Sequence, residues 1–269
     1  MNARDLIKAG RLHDARKQLT DEVKGSPGNL PSRVLLFQVL CFLGEWDRAR
    51  RHLDVIVTQD SRSETGVQVY RNLIDAEEQR SKVMTFSLRP RCLPGSPPYL
   101  DAYLTACASL SERNLATAGE LFAKLESECP ILDGTADGRH FSGFRDTDAI
   151  LSLFLEAIVI EGYVWIPVDT IRELSISPPK TLFDLLWIPT RIKTWQDIGI
   201  SCFLPVLYPN SFSHEDDRVK LGRMTDWFPL GDSFLRGAGQ HVFKIGDDER
   251  ALLEMREVVF SPSEEMKGS

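Results

Sequence analysis

Apolar residues in roughly the first half of the chain recur at the three- and four-residue steps of amphipathic helices, and the pattern repeats. Setting "AGRLHDARKQLTDEV" from Ala9 against "LGEWDRARRHLDVIV" from Leu43 aligns Gly10 with Gly44, Ala15 with Ala49, Leu19 with Leu53 and Val23 with Val57. The offset is 34 residues, the tetratricopeptide period. Each glycine suits the left-handed turn that closes the first helix of a pair. The alanine lets the second helix approach its neighbour, and leucine and valine at four-residue steps form the packed stripe. A degenerate third pair falls at Tyr99–Leu110 and Asn114–Glu128, with Ala118 and Phe122 in the places of Ala15 and Leu19. "SPGNLPS" (Ser26–Ser32) punctuates the repeats, and Glu64–Lys82 predicts a further helix. "LRPRCLPGSPP" (Leu88–Pro98) is a proline-rich connector that cannot be helical.

The periodicity stops at "DGTADGRHFSGFRD" (Asp133–Asp146), which reads as a domain boundary. Beyond it the pattern predicts helices over Thr147–Ile160 and Pro179–Trp187. It predicts strands over Tyr163–Val168, Gly199–Tyr208, Gln240–Gly246 and Glu257–Ser261. The expected architecture is α+β: a tetratricopeptide-like helical repeat domain over 1–132, then a mixed α+β domain over 133–269. The mixed order and short connections argue against a doubly wound parallel sheet. The polar tail "PSEEMKGS" is expected to be disordered.

Composition narrows the function. With 42% hydrophobic and 26% charged residues among 269, the chain has an ordinary globular composition. A net charge of -7 argues against a general nucleic-acid binder, which would carry a basic stripe. The first 58 residues run the other way, with ten Lys/Arg against seven Asp/Glu, which favours the helical half as the landing place for an acidic-faced helix. The five cysteines never reach CxxC spacing and read as buried thiols of a reducing compartment, not as disulfides or zinc ligands. No apolar leader and no run long enough to span a bilayer is evident, so the expected location is the cytoplasm, without membrane insertion.

"LYPNSFSHEDDRVKLGRMTDW" (Leu207–Trp227) concentrates candidate chemistry. A metal would need His214 with Glu215, Asp216 and Asp217, but consecutive residues rarely converge on one ion. No GxSxG, HExxH or P-loop is present, and "GAGQ" (Gly237–Gln240) lacks the third glycine of a dinucleotide fingerprint. The bland alternative is a structural corner. In it Tyr208 and Trp227 plug the core, Gly222 takes a positive φ, and Arg223 reaches Asp226 or a carbonyl-lined pocket.

Five stretches in order carry a resemblance: "FRDTDAILSLFLEAIVIEGYVWIPVDTI" (Phe144–Ile171), "PPKTLFDLLWIPTRI" (Pro178–Ile192), "FLPVLYPNS" (Phe203–Ser211), "LGRMTDW" (Leu221–Trp227) and "GAGQHVF" (Gly237–Phe243). They resemble the ImpE family, whose members are also called TagJ or SciE-type virulence proteins, accessory components of bacterial type VI secretion systems. The resemblance implies a cytoplasmic, non-enzymatic protein with no cofactor and no metal. It also implies that the partner is the N-terminal region of the small sheath subunit, with a link to the AAA+ ATPase that disassembles contracted sheaths. This chain departs from the pattern at Ile166-Pro167-Val168, where an aromatic is expected after the proline, and at Phe183, where a charge is usual. No catalytic position carries over.

Trp46, Arg48, Arg50 and Arg51 are the candidate partner-binding residues, an aromatic anchor with an electrostatic rim. The family-motif residues are expected to be structural: Asp146, Asp148, Trp165, Pro167, Asp184, Trp187, Tyr208, Gly222, Arg223, Trp227 and Gly239. Asp146 or Thr147 reads as a helix N-cap, and Asp184 as a buried hydrogen bond to backbone. His13, His52, His140 and His241 lack partners at ligand spacing and are assigned nothing. The rival readings are a metal-dependent or hydrolytic enzyme using His214 and its acids, and a generic scaffold.

Overall fold

The computed structural model describes residues Met1–Pro262; the tail expected to be disordered lies, from Ser263 on, outside the described residues. Helices fill the first half: α1 Ala3–Lys8, α2 Leu12–Gly25, α3 Leu30–Phe42, α4 Trp46–Gln59, α5 Glu64–Met84, α6 Leu100–Ser111 and α7 Leu115–Glu128. Gly10 (φ +70°) and Gly44 (φ +65°) close α1 and α3 in the left-handed conformation. The third hairpin, α6–α7, has the same turn with Arg113 (φ +61°) in the glycine's place. Ala15, Ala49 and Ala118, one per hairpin, are all fully buried. The long α5 has no helical partner of this kind. Instead its Gln79 accepts a hydrogen bond from Tyr163 N (3.0 Å) and lies against Gly162, where a Cβ would stand 2.4 Å from Gln79 Oε1.

The second half is built on strands: β1 Asp133–Ala136, β2 Arg139–Ser142, β3 Phe144–Asp146, β4 Phe154–Val159, β5 Gly162–Pro167, β6 Ile171–Ile176, β7 Trp187–Thr194, β8 Gly199–Pro205, β9 Asp226–Leu230, β10 Phe234–Ala238, β11 Val242–Ile245, β12 Asp248–Ala251 and β13 Glu257–Phe260. One four-residue helix, α8 Asp217–Lys220, interrupts them. Eight strands form one antiparallel sheet in the order β2-β1-β13-β6-β7-β8-β4-β5. β3, β11 and β12 form a second small sheet, and β9–β10 a separate ribbon. The connector covers the β5 edge, Leu93 donating to Trp165 O (3.0 Å) and Trp165 N to Arg91 O (2.8 Å). A contiguous hydrophobic cluster runs through helices and sheet alike.

The stretch Asp133–Asp146, where helices give way to strands, holds a hairpin: β1 and β2 turn around Asp137 (φ +48°) and Gly138 (φ +78°), the Asp-Gly pair that a tight two-residue turn demands. Two expectations are corrected. Thr147–Ile160 is not a helix but a turn followed by β4, whose six residues are all buried. A run buried on both faces has no alternation, so its periodicity does not separate strand from helix. Pro179–Trp187 holds only a short 3-10 turn, Leu182–Leu185, and Trp187 opens β7.

Candidate functional site

The most concentrated polar chemistry lies beneath the surface, where α5 meets the sheet. Arg80 of α5 donates through Nε and Nη2 to the two oxygens of Glu156 on β4, at 2.8 and 2.6 Å, and through Nη2 to Leu207 O at 2.7 Å. Glu77, one turn earlier, lies 3.3 Å from Arg80 Nη1 and accepts from Trp187 Nε1 at 2.8 Å. Tyr163 OH donates to Glu156 and accepts from Trp165 Nε1 (2.7 Å). His241 Nε2 stands 3.2 Å from Glu156 Oε2, an ion-pair distance at which the N–H does not line up with the oxygen. On its other side His241 Nδ1 meets Asp146 Oδ2 at 2.7 Å. Asp146 also accepts from Tyr208 OH (2.7 Å) and Asp148 N (2.8 Å).

Two basic side chains, Arg80 and His241, are interleaved with three acids, Glu77, Glu156 and Asp146, along this chain of contacts. Burial would raise the Glu156 carboxyl, but Arg80 outweighs it and holds the group far below the carboxylate range. Burial would lower His241, but Asp146 and Glu156 push it up to about 9, so it is an imidazolium. Burial raises Asp146, against the pull of His241. Asp146–His241 resembles a catalytic dyad, but Arg80, Asp146, Glu156 and His241 are each at most 4% exposed, and Nε2 faces a carboxylate, not a nucleophile. The arrangement braces helix against sheet. Sequence reading missed Arg80, Glu77, Glu156 and His241. The available signal was a lone acid in an apolar run, "FLEAIV".

Asp146 and Asp148 therefore cap no helix. Asp148 accepts from Ile150 N and Gly237 N, both at 2.9 Å, and pairs with Arg236 Nε at 2.9 Å, fixing the turn that leads into β4. Asp184 does bond backbone, accepting from Lys180 N (2.6 Å) and Thr181 N (2.8 Å), but at a half-buried turn and not in the core. Trp165, Trp187 and Tyr208 are core residues, Pro167 ends β5 in a buried position, and Trp227 is half-buried with its ring against Tyr208.

Leu207–Trp227 is a clasp on the helical repeats. Gly222 has φ +65°. Arg223 reaches carbonyls, donating to Lys8 O (2.6 Å) and Ile7 O (3.0 Å) and so capping the C-terminus of α1. Asp217 Oδ2 accepts from Leu12 N (2.7 Å), capping α2. Its Oδ1 pairs with the buried Lys220 at 2.9 Å. Asp216 turns instead to Arg218 (2.6 Å), and His214 Nε2 to Asp226 (3.2 Å). The donors imagined around one metal thus diverge to separate partners. Gly239 (φ +99°) sits where a Cβ would fall 2.1 Å from Met224 O, closing the same corner.

The proposed rim on α4 is largely occupied. Trp46 is half-buried between Trp187 and Phe212, with ring centroids at 6.3 and 6.1 Å. Arg48 pairs with Glu45, and Arg50 lies 2.7 and 2.9 Å from Asp75 and Glu78 of α5. Arg51 alone of the set is exposed without an ion pair among the described residues. Packed against Trp187 and Phe212, Trp46 offers a partner only part of its ring.

An open apolar surface lies elsewhere. A groove of about 610 Å³ runs between α5 and the uncovered face of β6, β7, β8 and β4. Val69 and Leu73 form the helical wall, with Ile158, Pro189 and Phe203 among the strand residues opposite. Ile160 at its mouth is 85% exposed, and Val69 is 38% exposed. Ser175, Arg191 and Ser201 stand abreast on three adjacent strands along its polar side.

Comparison with known proteins agrees with the residues. The ImpE protein family matches residues 138–259. The chain is 32% identical over 264 residues to the type VI secretion system accessory component TagJ of Pseudomonas aeruginosa, covering 98% of this chain and 92% of that one. Its fold is shared with the crystal structure of protein VPA1032 from Vibrio parahaemolyticus, at a TM-score of 0.87 and 21% identity over 98% of both chains. Two matches, one of sequence profile and one of nearly full length, show that the chain belongs to the ImpE/TagJ family of type VI secretion accessory proteins.

Proposed function

We propose that this protein is a cytoplasmic, non-catalytic adaptor that binds the N-terminal helix of the small sheath subunit in the groove between α5 and the sheet. Through that subunit it is tied to sheath recycling by the AAA+ ATPase. The observation that carries the reading is the groove itself: an apolar channel walled by a helix, with Ile160 left 85% exposed at its mouth. Isolated exposed apolar residues are ordinary, but a contiguous set along a groove suits the apolar face of an amphipathic helix. The ionisable groups that elsewhere suggest catalysis are sealed in the brace, and Trp46 is partly covered by Phe212 of the clasp.

Calorimetric titration with a synthetic peptide of the cognate subunit's N-terminal helix tests it. Saturable one-to-one binding near the micromolar range, about -8 kcal/mol, is expected. Val69→Asp with Ile160→Asp, both at exposed positions, weakens it at least tenfold. Unchanged affinity in the folded double variant excludes this groove.

A further inference from the structure

Resting on the reading that the groove receives an amphipathic helix, we infer that Arg191 is its specificity residue, pairing with a carboxylate carried at the edge of that helix's apolar face. Arg191 is the one charged side chain lining the groove, and no acid lines it. It is exposed and makes no ion pair among the described residues. The neighbouring bases differ: Arg172 pairs with Glu173 and Asp197, and Lys193 lies 3.5 Å from Asp197.

Its setting is that of a donor held for an incoming group. Register places Arg191 opposite Ser175 on one side and Ser201 on the other, so its neighbours across both strands carry short hydroxyl side chains and no charge. Alternation along β7 puts Pro189 on the same face, and along β8 it puts Phe203 beside Ser201. The surface thus steps from apolar to cationic within two residues of each strand. A helix lying with its apolar side on Phe203, Pro189 and Val69 presents its flank to this row. An aspartate or glutamate there meets a planar fork that binds carboxylate bidentately. A helix with a basic flank meets an unpaired like charge, so Arg191 sets orientation and excludes the reversed helix.

The experiment pairs a charge reversal with its compensation, using the full chain and the sheath-subunit peptide as probe. Arg191→Glu is expected to weaken binding at least tenfold with thermal unfolding unchanged. A peptide in which one flank acid is replaced by Lys should lose affinity for the native protein and regain it with Arg191→Glu. Affinity unchanged in Arg191→Glu but lost in Val69→Asp with Ile160→Asp leaves the groove standing and overturns the role of Arg191. Affinity unchanged in both removes the groove reading and this inference with it. Self-association abolished by Arg191→Glu, with no peptide bound, assigns the groove to a second copy and overturns the inference.

Discussion

Arg80 and Glu156, 76 residues apart, meet in a two-pronged ion pair sealed from solvent, at 2.8 and 2.6 Å. The pair joins the last turns of α5 to the middle of β4; Leu207 O shares Nη2 with Glu156, and Glu77 meets the remaining Nη1. Breaking a buried pair from one side leaves an uncompensated charge. Arg80→Ala or Glu156→Ala should therefore destabilise by about 3–5 kcal/mol, read from denaturant unfolding. A double replacement by apolar residues of similar volume should recover most of that loss. If the single variants unfold like the native protein, the brace is not a stabilising element.

The same brace gives stability a pH dependence. His241 titrates near 9 in the folded protein against 6.5 as its ordinary value, so its contribution is fully present below 6.5 and is lost as pH rises through 9. At full strength a shift of this size is worth about 3 kcal/mol. The native protein should lose stability between these limits, and His241→Gln, already weaker, should show a flatter curve there. Glu156 works from the acid side: its stabilisation is present above 4.5 and is lost as pH falls through its much lower folded value.

Gly44 has both a left-handed backbone and a ring in its way, Phe212 standing 2.5 Å from where a Cβ would be. Gly44→Ala should cost about 1–3 kcal/mol from strain and overpacking together. Phe212→Ala should remove much of that penalty, giving a non-additive double-mutant cycle. Additive losses would mean that the clasp does not press on this turn.

Asp217 and Arg223 hold the first helical hairpin from far along the chain, capping α2 and α1. Each alanine variant should cost about 1–2 kcal/mol. Amide exchange should then speed up in Ala3–Gly25 more than in β7 and β8. Uniform acceleration across the molecule would show that the clasp has no local role.

Local chemistry made the helical repeats readable. Gly10, Ala15 and Leu19 act within one hairpin, so their spacing states their structure. Even Arg113, which no glycine rule would choose, falls at the third turn. The positive φ of Gly222 and the carbonyl partners of Arg223 were likewise foreseeable, because a short corner offers such side chains few alternatives. Asp137-Gly138 was an available hairpin signal, overshadowed by the Gly/Asp content around it.

The remainder belonged to the tertiary structure. All six residues of β4 are buried, and a segment so enclosed has no polar face to announce its period. Arg80 finds Glu156, and Asp217 finds Leu12, only when halves of the chain separated by 76 and 205 residues are packed together. The groove and its Arg191 row exist because α5 stops short of covering three adjacent strands, which no single stretch of sequence encodes. Sequence settled what each residue offers within its own turn; packing settled which offers are taken, since burial makes a distant partner cheaper than none.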